Sequence, residues 1–320
     1  MTEQIANRFR RFAEREAHGH SPLYEALANG VAGDERILQI LAALPPEKQQ
    51  PNLLFAAVRV VCGTPADFAD FRGKLLARTK DVLAVIQQRV TQTNEPGRCA
   101  VLLPVLRRMH QPVALIEVGA AAGLCLLPDR YAYDYDGRVV ARPGASPVFR
   151  CHAGPGTPVP DQPPDIAWRA GLDLRPVNLR DPNEVAWLEA LVWPDQPDRL
   201  ERLRSAISVA QTYPVRVRQG DLTKDLPALL AEAPVGPTLV VCHTAVLGYV
   251  AAPDARAAFA HTLFEHGAVW ISNEVPSVFP EIAARAKRQG PPGSFLLAVN
   301  GHPLAWTDPH GAWIDWLEPA

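Results

Sequence analysis

The residues best suited to chemistry cluster in one stretch, ALIEVGAAAGLCLL (114–127), where an apolar strand runs into Glu117 and then into Gly119, Ala121 and Gly123 before a helix-forming segment. Small residues after a strand let a ligand approach the backbone, and the N-terminus of a following helix turns free N–H groups toward the crevice beyond the strand ends. Such a turn suits a nucleoside-bearing cofactor. It equally suits a helix packed closely on a strand, and the motif alone does not separate the two. Two later strand ends carry side chains able to act on a substrate at the same edge, Cys242-His243-Thr244 and Ser272-Asn273-Glu274. His243, whose side chain type titrates near neutrality, is the candidate to take a proton from an attacking nucleophile. Asn273 and Glu274 are candidates to orient a substrate amine or hydroxyl. The structural alternative is a strand-end histidine held by hydrogen bonds.

The elements that must position these residues are legible in the periodicity. The β-rich runs VALIEV (113–118), PVRVRQ (214–219), PTLVVCH (237–243), AVWISN (268–273) and SFLLAVN (294–300) alternate with helical stretches, which implies a mostly parallel sheet covered on both faces. Residues 1–110 instead repeat apolar positions at three and four, with breaks at Ser21-Pro22, Pro45-Pro46 and Gly63-Thr64-Pro65. This predicts an all-helical N-terminal region of about five helices, serving as a lid or cap over the carboxyl edge of the sheet, followed by an α/β domain over 111–320. A Pro/Gly-rich excursion at about 142–164 is too long for a plain connection and is read as a hairpin. The closing HPLAWTDPHGAWIDWL (302–317) predicts a C-terminal antiparallel hairpin around its DPHG turn. Between the helices and the first strand, Gln92, Thr93, Asn94, Glu95 and Arg98 of QTNEPGR either belong to a lid or cap adjoining helices. Tyr131, Tyr133 and Tyr135 would share a face if extended, and Trp187 and Trp193 are read as packing residues.

The spacing E-x-G-x-x-x-G after a first strand resembles the cofactor loop of class I S-adenosylmethionine-dependent methyltransferases, with Ala121 where those enzymes usually carry the middle of three alternating glycines. DIAWRAGLDLRPV (165–177) resembles the end of their second strand, so the resemblance implies that Asp173 receives the ribose hydroxyls; a carboxylate suits a vicinal diol. The alternative for Asp173 is a cap on the turn before Pro176. In VRVRQGDLTKDLPALL (215–230) the resemblance implies Asp221 for the adenine amino group and the backbone N–H of Leu222 for a ring nitrogen. Glu117 would organise the loop and the cofactor's amino group. Together these imply a doubly wound, methyltransferase-like (Rossmann-like) sheet, S-adenosylmethionine as cofactor, and methyl transfer to an unknown small-molecule acceptor. The alternative is a non-catalytic Rossmann-like ligand-binding or assembly protein. Nearly the full length is also similar to a bacterial domain-of-unknown-function family, number 2332, through SPLYEALA (21–28), QQPNLLFAAVR (49–59), QTNEPGRCAVLLP (92–104), EVGAAAGLCLLPDRYAYDY (117–135), WLEALVWPDQ (187–196), GDL (220–222), HTAVLGYV (243–250) and WISNE (270–274). That resemblance implies the extent of the domain and no activity.

Composition narrows the classes. The 320 residues are 48% apolar and 21% charged, enough for a large core and unlike a disordered or fibrous chain. Thirty-two Lys and Arg against 34 Asp and Glu leave a formal charge of −2, which gives no whole-chain field for a polyanion, so nucleic acid is not an expected partner. Five scattered cysteines lack any CxxC or Cys/His ligand spacing, which predicts reduced thiols, no metal and a cytoplasmic location. No Walker loop, GxSxG elbow or HExxH motif is present. The apolar windows 113–128 and 238–252 are interrupted by Glu117 and His243, so no membrane span is expected, and the N-terminus lacks the apolar core of a signal peptide.

Overall fold

The computed structural model describes residues 2–92, 94–250 and 252–317, and the chain divides into two compact units. The first comprises residues 1–93 and 180–201, and the second 94–179 and 202–320.

The first unit is helical: α1 (Thr2–Phe12), α2 (Pro22–Gly33), α3 (Glu35–Ala42), α4 (Pro51–Cys62), α5 (Phe68–Ala77), α6 (Thr79–Gln88) and α8 (Pro182–Leu191), the last separated in sequence by α7 (Cys99–Arg108) of the second unit. Ser21 accepts from the backbone N–H of Tyr24 ahead of Pro22, a strong helix start. Asp34 divides α2 from α3 by accepting from Ile37 N–H, and Arg78 divides α5 from α6 without a proline, so the region holds more helices than its proline breaks predict. Ile5, Phe9, Tyr24, Leu27, Leu54, Phe55 and Phe71 form its core together with Trp187 from α8. Trp187 explains why residues 180–201 group with the N-terminal helices, although they lie in sequence inside the 111–320 segment read as the α/β domain.

Among the described residues the second unit carries twelve strands: β1 (Val113–Val118), β2 (Ala132–Tyr135), β3 (Arg138–Val140), β4 (Val148–Arg150), β5 (His152–Ala153), β6 (Ile166–Asp173), β7 (Val217–Gln219), β8 (Thr238–Thr244), β9 (Val269–Glu274), β10 (Phe295–Val299), β11 (His302–Thr307) and β12 (Trp313–Trp316). Nine form one mixed sheet in the order β5-β12-β11-β10-β9-β8-β1-β6-β7. The five strands β7, β6, β1, β8 and β9 are mutually parallel, and their order reverses at β1. β10, β11 and β12 continue as an antiparallel meander, so the closing hairpin exists with β10 as a further antiparallel partner. β1 is buried at all six positions, as the continuous apolar run of a parallel strand covered on both faces requires.

Three local expectations differ from the structure. No α-helix follows β1; Gly123 in the left-handed region leads only into the three-residue 3₁₀ turn Leu124–Leu126, and Pro128 follows. The connection from β1 to β6 runs through a small sheet, order β3-β2-β4, where a parallel pair usually has a helical crossover. The hairpin in this region is β2–β3, N-terminal to the 142–164 stretch, which itself supplies β4 to the small sheet and β5 to the edge of the large one. Buried Tyr131 and Tyr133 pack on Phe149 of β4 and donate their hydroxyls to the carbonyls of Leu124 and Pro128, tying the small sheet to the turn after β1.

Candidate functional site

Side chains alternate across a strand, so register decides which strand-end residues share a surface. Glu117 of β1 is level with Gly171 of β6 and Cys242 of β8, and Thr244 of β8 is level with Asn273 of β9. Leu297 of β10 is level with Asn273, and Phe295 with Thr307 of β11. Glu117, Asp173, Cys242, Thr244, Asn273, Phe295 and Thr307 therefore occupy one face. His243 and Glu274 occupy the other, with Ile116, Val118, Val241, Trp270 and Leu296 of the apolar core.

The Glu117 face is a buried polar cluster. Glu117 is 5% exposed, and its Oε2 is buried without a hydrogen-bond partner. Burial pushes its carboxyl well above the ordinary carboxylate range; the neighbouring Cys125 and Asp173 add to this and the Arg98 guanidinium opposes it. Arg98 is itself buried, donates from Nη1 to both the carbonyl and the hydroxyl of Thr244 at 3.2 Å and from Nε to the carbonyl of Pro309 at 2.7 Å, and stands over the Phe295 ring. Asn94 accepts from Ala122 N–H at 2.9 Å, and its buried Nδ2 has no partner. Asn273 is fully buried; its Oδ1 accepts from the Thr307 hydroxyl at 2.8 Å, and its Nδ2 is also without a partner. Three of the five unpartnered buried side-chain atoms among the described residues thus belong to this cluster or to the loop beside it. Native interiors seldom leave such groups unpaired, and each costs roughly 1–3 kcal/mol.

Residues 6–316 match the model of a family described as an uncharacterized protein conserved in bacteria, DUF2332. The chain belongs to this family. No curated protein matches it. Among solved structures it is similar to a possible exported protein from Bordetella parapertussis, at 12% identity and a TM-score of 0.29, over 88% of this chain and 73% of that one.

In this DUF2332 chain the residues singled out in the sequence separate into distinct environments. Gly119 and Gly123 both have positive φ, near +70°, which favours glycine. Their missing side chains are replaced by protein: a Cβ on Gly119 would lie 2.3 Å from Val246 Cγ2, and one on Gly123 2.5 Å from Val215 Cγ2. Ala121 adopts φ +47° and donates its N–H to Asp173 Oδ2 at 2.8 Å. Asp173 Oδ1 accepts from Arg175 N–H at 2.7 Å, so this carboxylate ties the turn after β1 to the end of β6. Asp221 uses Oδ1 to accept from the backbone and hydroxyl of Thr223, which holds its carboxyl below the usual value, and Leu222 follows it half-buried in the same turn. Of the segment 92–98, Asn94, Glu95 and Arg98 belong to the second unit and Glu95 caps Gly97 N–H, while Thr93 lies outside the described residues.

His243 is fully buried on the opposite face. Trp270 donates its indole N–H to His243 Nε2 at 2.8 Å, so Nδ1 carries the hydrogen that goes to Glu274 Oε1 at 2.7 Å. The same Glu274 oxygen accepts from Val246 and Leu247 N–H at 2.8 and 3.0 Å. Burial alone would raise the Glu274 carboxyl, but these donors, led by His243, hold it below its ordinary value. Both imidazole nitrogens are engaged, Nε2 by Trp270 of β9 and Nδ1 by the Glu274 oxygen that also holds the loop after β8. The sequence did not single out Thr307 or Arg98 as partners of the Glu117 face; they come from β11 and from the turn before α7, and only the meander's register brings Thr307 to Asn273.

Among the described residues, no group of three or more His, Cys, Asp or Glu side chains has the arrangement to hold a metal, and no helix is long and apolar enough to cross a membrane.

Proposed function

We propose that this chain binds a small ligand with a cationic nitrogen at the carboxyl edge of its parallel strands, and that the ligand is S-adenosylmethionine. The supporting observation is the unpartnered, buried Oε2 of Glu117 at the end of β1, the strand at which the order reverses. An ammonium group there would complete a charge-assisted hydrogen bond. Asp173, on the neighbouring strand end and the same face, keeps a lone pair on each oxygen after its two backbone bonds and would receive the ribose hydroxyls. The fit is poorer at Asp221, which is occupied by Thr223, and at Gly119 and Gly123, whose open sides valines fill. When bound, the cofactor supplies a sulfonium methyl for transfer to a nucleophile. On this reading the sheet is doubly wound and methyltransferase-like and the acceptor is a small molecule, and the unpaired thiols support a cytoplasmic location.

A second reading, a ligand-binding protein without transfer chemistry, rests on His243, whose two nitrogens leave no acceptor for a substrate proton. Calorimetric titration with S-adenosylmethionine, S-adenosylhomocysteine, methylthioadenosine and NAD tests the first reading. The first two should bind and the last two, lacking the amino-acid ammonium, should bind at least tenfold more weakly. No binding of any to the folded protein removes the cofactor. Bound S-adenosylmethionine that keeps its methyl in the presence of a bacterial small-molecule extract favours the second reading.

A further inference from the structure

The turn after β1 has the backbone of an anion seat. Gly119, Ala121 and Gly123 have φ of +70°, +47° and +71°, whereas Ala120 and Ala122 between them lie outside the left-handed region. Alternation of this kind turns successive N–H groups to one side and makes a concavity that binds anions, the device by which Gly-rich turns hold phosphates. In this chain the donors are already taken. Gly119 and Ala120 N–H donate to the Leu172 carbonyl at 2.7 and 3.3 Å, and Gly123 N–H to the Ala120 carbonyl at 2.6 Å. Ala121 N–H donates to Asp173 Oδ2 at 2.8 Å and Ala122 N–H to Asn94 Oδ1 at 2.9 Å. The 3₁₀ turn that follows, Leu124–Leu126, is buried. The anion in the seat is the chain's own carboxylate.

We propose that Asp173 and Asn94 are specificity-determining residues that fill this seat and so exclude phosphate-bearing ligands from the carboxyl edge, which leaves phosphate-free nucleosides as the ligand class. The choice of class rests on the reading of that edge as a ligand site. A phosphate arriving there finds the five amides from Gly119 to Gly123 engaged and sets its oxygens against the Asp173 carboxylate, and an unpaired like charge is how a protein rejects a competing ligand. A neutral ribose diol meets no such penalty. It finds the remaining lone pairs of Asp173, which the Ala121 and Arg175 N–H groups hold in place. The seated carboxylate also accounts for Ala121, a non-glycine residue whose positive φ persists because its N–H is held.

Hydrogen exchange of the full chain, followed by NMR, reads the seat without any ligand: the Ala121 and Ala122 amides should exchange at least a hundredfold more slowly than in an unstructured chain. Calorimetric titration with adenosine and with adenosine 5′-monophosphate reads the selectivity, and adenosine should bind at least tenfold more tightly. Pyrophosphate should leave the 119–123 amide resonances of the wild type unmoved and shift them saturably in Asp173→Ala, where the seat is emptied. Asp173→Asn keeps an oxygen for Ala121 N–H and loses only the charge, so it serves if the alanine variant does not fold; its preference for adenosine over the monophosphate should shrink at least threefold. Unprotected exchange at Ala121 and Ala122, a monophosphate that binds as tightly as adenosine, or a saturable pyrophosphate shift in the wild type overturns the proposal. Failure of both adenosine and S-adenosylmethionine to bind a chain whose amides are protected and indifferent to pyrophosphate tells against a ligand at this edge and not against the filled seat.

Discussion

His243 and Glu274 form a buried pair, 2.7 Å between Nδ1 and Oε1, on the face of the sheet opposite Glu117 and Asn273. The pair is an architectural joint: one carboxylate oxygen gathers the imidazole N–H and the first two amides after Ala245, a non-glycine residue at φ +55°. A strained backbone of this type persists only when its surroundings over-determine it.

Removal of the carboxylate should therefore be costly. Glu274→Ala strands three donors, two of them buried, and is expected to lower stability by about 3–5 kcal/mol. The depressed carboxyl of Glu274 adds a pH signature: its contribution is present above the ordinary glutamate range and is lost as pH falls through the lowered value, where the folded state must take up the proton. Thermal melts of wild type and variant from pH 3 to 7 should converge on the acid side. Parallel melting curves across that range would contradict the pairing.

Glu117 has the opposite sign. Its folded carboxyl lies above its unfolded value, so the native state holds the proton more tightly, and stability falls as pH rises from the ordinary carboxylate range through the raised one. Glu117→Gln removes the titrating group and should melt higher than wild type, with a margin that widens as pH increases over that window. A margin independent of pH would show that Glu117 is not held protonated by burial.

The turn after β1 is packed rather than open. Gly119→Ala forces a side chain at φ +70° into Val246 and should cost about 1–3 kcal/mol. Val246→Ala, added to it, should restore part of that loss, leaving the backbone strain. Denaturant midpoints of the single and double variants measure the coupling; purely additive losses would place the cost elsewhere.

The thiols offer a direct check on burial. Cys99, Cys125, Cys151 and Cys242 are buried, and burial pushes the Cys151 thiol up to about 12, whereas Cys62 is only partly covered. Brief alkylation at neutral pH should modify Cys62 first, and denaturation should expose the remaining four. Early modification of Cys151 or Cys242 would contradict their placement.

Much of this architecture was legible from periodicity. VALIEV coincides with β1, and the runs at 237–243, 268–273 and 294–300 each fall within one residue of β8, β9 and β10, because strands buried on both faces over most of their length are written as continuous β-branched and aliphatic stretches. The turn after β1 was not: ALIEVGAAAGLCLL has helix-forming composition, but left-handed Gly123 and Pro128 limit it to one 3₁₀ turn, and the tyrosines of the small sheet bond to carbonyls there. At the site, sequence order marks strand ends but not faces. His243, Asn273 and Glu274 look equivalent in the sequence, and only the one-residue alternation separates Asn273 from the other two. Thr307 could be joined to Asn273 only through the meander register, a long-range fact with no local signal.

The most direct measurement of the central claim is calorimetric titration of wild type and Glu117→Gln with S-adenosylmethionine at two pH values. Binding through an ammonium requires the charged carboxylate, so wild-type affinity should rise with pH through the elevated Glu117 range, and Glu117→Gln should lose at least tenfold in affinity and the pH dependence together. Equal affinity of the two proteins at both pH values, or no binding by folded wild type, would contradict the assignment.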